Sequence, residues 1–330
     1  MTRNSIHLVR RILGLFHCCK PVSVGLSLAL LGSLPLCAQP VPLPSASPES
    51  GAAQAYRMGM SLVKEGRLDE AISTFKNGLH TDPQNTVLLN VIGATYSLKG
   101  EFDQADDYLL KSLQIDPGFV PARKNLAISY FNLGKYDLAA TEFQKLINQP
   151  GDSRQVAFLF LGIIAEEQKD FSKSASLLGQ SGDVVYQYPR ALLSFAHSLF
   201  ELKQTQKADA VLMRLDAMSA VTASEYFKAG LLFSQQRKYP QALAEFERAG
   251  KIDPGLPGLA YQRAVLLDQL GRREEALKIL KEFTSIRPNA DSLNLLANLA
   301  RNAGDLSLAI QSLRQATLLE PKSSLPFSVQ

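Results

Sequence analysis

The residues able to do acid, base, nucleophilic or metal chemistry are few and scattered. The chain has four histidines: His7, His17, His80 and His197. The first two lie in a basic leader. His80 falls near the expected end of a helix, where an imidazolium suits the carbonyl end of the helix dipole. His197 has no second histidine near it in sequence, so a packing or polar-surface role outweighs a ligand role. All three cysteines, Cys18, Cys19 and Cys37, lie before residue 38, leaving the remainder without a thiol nucleophile, a disulfide or a cysteine metal site. Glu166-Glu167 and Glu274-Glu275 are adjacent acids, and neighbours on a helix point in different directions. Neither pair makes a carboxylate dyad by itself. The chain contains no glycine-rich phosphate cradle and no Gly-x-Ser-x-Gly elbow. These observations point to no catalytic residue, no metal and no cofactor, and a non-enzymatic role is expected.

Charge narrows the partner. The chain holds 35 Lys and Arg against 31 Asp and Glu. Arg3, Arg10, Arg11 and Lys20 account for the whole excess, because the first 38 residues contain no acid. Beyond them the two signs balance, and the basic runs are isolated pairs such as Arg123-Lys124 and Arg272-Arg273. A nucleic-acid surface needs a sustained basic patch, so no nucleic-acid partner is expected.

What must position these residues is set by a period. Ala71, Ala105, Ala139, Ser174, Ala208, Ala242, Ala276 and Ala309 follow one another at steps of about thirty-four. A fixed period in this range means stacked units that cannot bury their apolar faces alone. Around each small residue further positions recur. The first unit reads Gly59, Leu62, Gly66, Ala71, Phe75, Gly78, Pro83; the second reads Gly93, Tyr96, Gly100, Ala105, Leu109, Ser112, Pro117. The sixth reads Gly230, Phe233, Tyr239, Ala242, Phe246, Ala249, Pro254. Gly66, Gly100, Gly134, Gly271 and Gly304 suit a left-handed helix end. The prolines of Asp82-Pro83, Asp116-Pro117 and Asp253-Pro254 end the second helix of a pair. Helical glycines Gly59, Gly93, Gly162 and Gly230 are expected to face the alanines across a tight crossing.

This pattern resembles the tetratricopeptide repeat. The resemblance covers roughly residues 52–323 and implies an all-α fold, a right-handed α-solenoid of about eight helix-turn-helix units. Repeats four and five depart from the pattern, with Ser174 for the alanine and Lys203 at the turn, and no tryptophan occurs. Such repeats act as protein-interaction scaffolds, so the resemblance implies a protein or peptide partner held in a concave groove lined by the first helix of each pair. Fifth positions of those helices are Tyr56, Asn90, Lys124, Leu159, Leu193, Phe227, Tyr261 and Asn294; ninth positions are Met60, Ala94, Ile128, Ile163, His197, Leu231, Val265 and Asn298. From these, Tyr56, Met60, Lys124, Leu159, His197, Phe227, Leu231 and Tyr261 are the candidate groove residues, with Phe158 an alternative to Leu159. The competing reading packs the row between neighbouring repeats. A holdase-like envelope assembly factor is the alternative role. Some relatives clamp a C-terminal carboxylate with lysine, arginine and asparagine, which Lys124-Asn125 matches only in part.

The first fifty residues follow other rules. A basic start, an apolar run over Val22–Leu36 and then Ala38 read as a secretory signal over residues 1–38. The run is shorter than the roughly 20 residues that span a bilayer; a retained membrane anchor is the alternative. Leu34-Pro35-Leu36-Cys37 and Arg10-Arg11 match lipoprotein and twin-arginine signals poorly. Residues 39–51 read as a Pro/Ser-rich linker, and residues 324–330 as a tail. The expected location, taking the leader as bacterial, is the periplasm or cell envelope.

Overall fold

A computed structural model describes residues 51–218 and 221–319. The expected signal, most of the linker and the tail lie outside the described residues. Two compact units divide between Ala220 and Val221. In the first unit five helical pairs follow one another: α1 (Gly51–Lys64) with α2 (Leu68–Thr81), α3 (Thr86–Lys99) with α4 (Phe102–Ile115), and α5 (Val120–Asn132) with α6 (Tyr136–Leu146). Then come α7 (Asp152–Glu167) with α8 (Phe171–Gln180), and α9 (Pro189–Glu201) with α10 (Thr205–Leu212). The second unit pairs α11 (Ala223–Gln235) with α12 (Tyr239–Ile252), α13 (Leu259–Gln269) with α14 (Arg273–Ile286), and α15 (Ala290–Asn302) with α16 (Leu306–Leu319). No strand occurs among the described residues.

Each pair closes on the small-residue pattern. Ala71, Ala105, Ala139, Ser174, Ala208, Ala242 and Ala276 are fully buried. The helical glycines, however, come closest to a different neighbour from the one expected, although Gly93 also meets the Ala105 carbonyl at 3.0 Å. A Cβ on Gly59 would meet the Phe75 ring at 2.2 Å, and one on Gly230 would meet Phe246 at 2.5 Å. Gly93 and Gly162 stand likewise against Leu109 and Leu178, each at 2.6 Å. The close approach is therefore to the large residue four positions after the alanine, because that side chain points back over its own helix toward the preceding turn.

The turn between paired helices is left-handed in all eight repeats, at Gly66, Gly100, Gly134, Lys169, Lys203, Arg237, Gly271 and Gly304. In repeats four to six a lysine or arginine adopts φ of 57–61°, a conformation that non-glycine residues reach only at a cost. The backbone thus keeps the period where the residue type does not. Helix starts are capped where the sequence allows: Asn85, Asp170, Thr222 and Asn289 accept from the third helical amide. Repeat four carries an additional 3-10 segment, Gly182–Gln187, which buries Val184 and Val185 and delays the next helix to Pro189. Repeats four and five pack against each other within one unit, α9 touching both α7 and α8. The division of the chain falls after repeat five.

Candidate functional site

The inner helices of the first unit are α1, α3, α5, α7 and α9, and their candidate row is largely closed. Tyr56 and Met60 on α1 are half-buried and pack on the core around Phe75 and Leu88. Beyond them Asn90, Lys124, Leu159 and Leu193 are buried, as are Ile128 and Ile163. Leu159 is 1% exposed, so a partner cannot reach it, and its place on that surface goes to half-buried Phe158. Inter-repeat packing, the competing reading, accounts for these apolar side chains because adjacent inner helices approach closely enough to cover them.

The polar members of this row form a small buried network. Asn125 Nδ2 donates to Asn90 Oδ1 at 2.8 Å across repeats two and three. Asn125 Oδ1 has no hydrogen-bond partner among the described residues. Beside it, burial pulls the Lys124 ammonium below the usual lysine range, against the attraction of Asp152. The orphaned amide oxygen is an acceptor and calls for a donor, whereas the ammonium beside it is itself a donor in need of an acceptor.

A second polar cluster joins repeats four and five. His197 Nδ1 lies 2.6 Å from Glu166 Oε1, and its ring stands edge-on to Phe171 with centroids 5.2 Å apart. Ser194 Oγ donates to Glu166 Oε2 at 3.3 Å, while Glu201 lies 3.8 Å from His197 Nε2. The hydrogen bond to Glu166 raises the imidazole above its ordinary range, although burial works against it. Glu167 turns away to Arg190 at 3.0 Å, as adjacency on a helix requires. Sequence reasoning could not pair Glu166 with His197, because the two are 31 positions apart and meet only through stacking. The described residues contain no cluster of three or more metal-ligating side chains. His80 is exposed in the last turn of α2.

The second unit keeps its row open. Phe227 and Leu231 on α11, then Tyr261 and Val265 on α13, are half-buried, and Asn294 and Asn298 on α15 are exposed. Each pair is spaced i, i+4 and so lies on one helix face. Phe227 is braced by Phe246 at a centroid distance of 5.3 Å and by Gly258, whose added Cβ would sit 3.5 Å from the ring. Its inner edge is structural and its outer edge remains available. The arrangement is a run of aromatic and aliphatic side chains grading into amides. It can hold an extended or helical segment of another chain.

Comparison with known proteins agrees with this architecture. Three family models described as tetratricopeptide repeat match residues 234–299, residues 125–152, and residues 87–119 with 290–323. The Protein CTR9 homolog of Arabidopsis thaliana is 24% identical over 82% of this chain, a match covering 26% of that protein. The peroxisomal targeting signal receptor of Candida albicans is 35% identical over 25% of this chain and 14% of its own length. The chain thus spans about a quarter or less of these two relatives. Among solved structures, PilF of Pseudomonas aeruginosa superposes with a TM-score of 0.57 at 14% identity, over 66% of this chain and 97% of that one. PilW, a type IV pilus biogenesis factor, gives 0.56 at 17% identity, over 64% and 97%. At such identities these two likenesses speak for the fold.

Proposed function

We propose that this chain, a member of the tetratricopeptide-repeat family and so built on protein-interaction repeats, is an exported non-catalytic scaffold that binds a peptide or partner protein along its inner helix faces. The observation that carries the reading is the contrast between units. Phe227, Leu231, Tyr261 and Val265 stay half-exposed in the second unit, where their counterparts from α5 to α9 are mostly buried. Apolar side chains left open in a fold that covers the same positions elsewhere mark a surface kept for another molecule. Tyr56 and Met60 offer a smaller surface in the first unit, while Lys124 is buried there beside Asn90 and Asn125. Leu159 has no part in it. His197 serves as a packing and ion-pair residue of the inner wall.

Export rests on the basic leader and the apolar run that follows it, and if that leader is bacterial the scaffold works in the periplasm or cell envelope. No helix among the described residues is long and apolar enough to cross a membrane, so any attachment would come through the leader.

The test is the double change Phe227→Ala with Tyr261→Ala, followed by co-purification from an envelope extract. Recovery of one stoichiometric partner by the wild type and its loss in the variant, with helical signal and melting temperature held, is the expected result. Destabilisation by about 3–5 kcal/mol, the scale of a core truncation, would make both rings structural and overturn the reading. Broad capture of unfolded apolar segments would instead favour the holdase-like role.

A further inference from the structure

One position on the first helix of each pair, thirteen residues before the repeat alanine, is apolar in every repeat but the seventh. Ile92, Leu126, Leu161, Ala229 and Leu296 hold it and are buried. In repeat seven it is Arg263 on α13. A matching change stands in the repeat before. Eight residues after the alanine, Leu79, Leu113 and Ile147 pack on the cores that hold Ile92, Leu126 and Leu161; in repeat six that residue is Gly250 on α12. An aliphatic pair between repeats has become glycine and arginine. The exchange is one of space: a Cβ on Gly250 would stand 3.6 Å from Arg263 Nη1, so the guanidinium lies where a larger side chain would extend. Arg263 Nε is buried and has no hydrogen-bond partner among the described residues. A cationic donor left in that state costs free energy that leucine in the same place would not.

A second arginine departs from the repeat nearby. Asp82, Asp116 and Asp253 precede the prolines that end their repeats, but Arg287 precedes Pro288. Its Nη1 donates to the Gly255 carbonyl at 3.1 Å. Gly255 makes room for it, since a Cβ there would meet Nη1 at 2.3 Å. Arg263 and Arg287 line one pocket of about 350 Å³, with Leu259, Ile279, Phe283 and Ile286 as its apolar wall. The lining holds one carboxylate, the exposed Glu282, and so carries one net positive charge. The Asp253 carboxylate is turned into the adjoining loop, where it accepts from the Gly255 amide at 2.9 Å.

We propose that this pocket is a binding site for a small amphipathic carboxylate. Its anionic end takes the free donor of Arg263 and the outer donors of Arg287, and its apolar body lies on Ile279 and Phe283. A guanidinium matches a carboxylate in shape and hydrogen-bond direction. One net positive charge suits a monoanion better than a doubly charged phosphate. The volume stands at the lower end of the roughly 300–1,000 Å³ range of ligand pockets, which limits the body to a short chain or a single ring. Tyr261 is two residues from Arg263 on α13 and so faces another direction. The pocket is therefore separate from the inner-face surface, and its occupancy is independent of the scaffold reading.

The test is calorimetric titration of the full chain with sodium octanoate. One saturable site is expected, with octanamide, the uncharged counterpart, binding at least about tenfold more weakly. The Arg263 Nε–Hε NMR signal should move as octanoate is added. Arg263→Gln should weaken octanoate by about the same factor. Gly250→Leu with Arg263→Leu, which restores the aliphatic pair of other junctions, should abolish binding while the helical signal holds. Equal affinity for octanoate and octanamide would reduce the pocket to an apolar cavity and overturn the proposal. Octanoate binding undiminished in Arg263→Gln, or no saturation at millimolar octanoate, would overturn it as well.

Discussion

At the scale of single residues, the inner wall contains one titratable contact whose sign is fixed by geometry. His197 is held by Glu166 at 2.6 Å, with Glu201 further off and Ser194 completing the carboxylate's bonds. The pair raises the imidazole in the folded chain, while the unfolded chain keeps the ordinary value near 6.5. Its stabilisation is then complete below about 6.5 and is lost as pH rises through the raised folded value. Thermal melts from pH 5.5 to 8.5 should show the wild type losing stability across that interval, and Glu166→Gln should flatten this component. Parallel slopes for the two proteins would show that the contact contributes nothing to folding. The sequence made His197 visible only as a lone histidine. Its partner lies one repeat earlier, and no local signal joins the two positions.

Secondary elements obey the repeat more faithfully than their residues do. Lys203 was a break in the pattern when read as a letter, yet its backbone adopts φ 59°, as the turn glycines do. The reason is that the paired helices pack through Ala208 and Leu212 whatever residue links them, so tertiary packing imposes the turn. A side chain held in this left-handed conformation carries strain of about 1–2 kcal/mol. Lys203→Gly should therefore stabilise the protein by about 0.5–1 kcal/mol, after allowance for glycine's freer unfolded chain. A higher urea midpoint with unchanged slope would register the gain; a lower midpoint would mean that the turn is not strained. The glycine contacts were legible only in part. Spacing located Gly59 and Gly230, but the side-chain tilt that brings Phe75 and Phe246 over them is a property of the folded helix pair.

For the whole molecule, stability in a repeat array is close to a sum of units and their immediate contacts. Damage at one crossing should then stay near it. Ala242 is fully buried where α12 crosses α11, and Ala242→Leu should cost about 1–3 kcal/mol or more through overpacking. Hydrogen exchange should accelerate within residues 221–319 and stay as in the wild type over residues 51–218. Uniform acceleration would show that the two units unfold as one. The sequence offers no break in its period at residues 219–220, since Ala208 to Ala242 keeps the regular step. The division follows from which helices pack together, and spacing is silent on that.

Amino-acid order alone determined the fold class, the helix pairing and the positions of the turns. Small residues, glycines and prolines act through local sterics that recur with every repeat. Only the tertiary structure decided which of the inner-face side chains remain reachable. Leu159 and Phe227 hold the same place in the repeat, yet Leu159 is sealed by its neighbours and Phe227 is half-open. The difference lies in how closely adjacent repeats approach, and that is set by packing between segments that a single repeat's sequence does not contain.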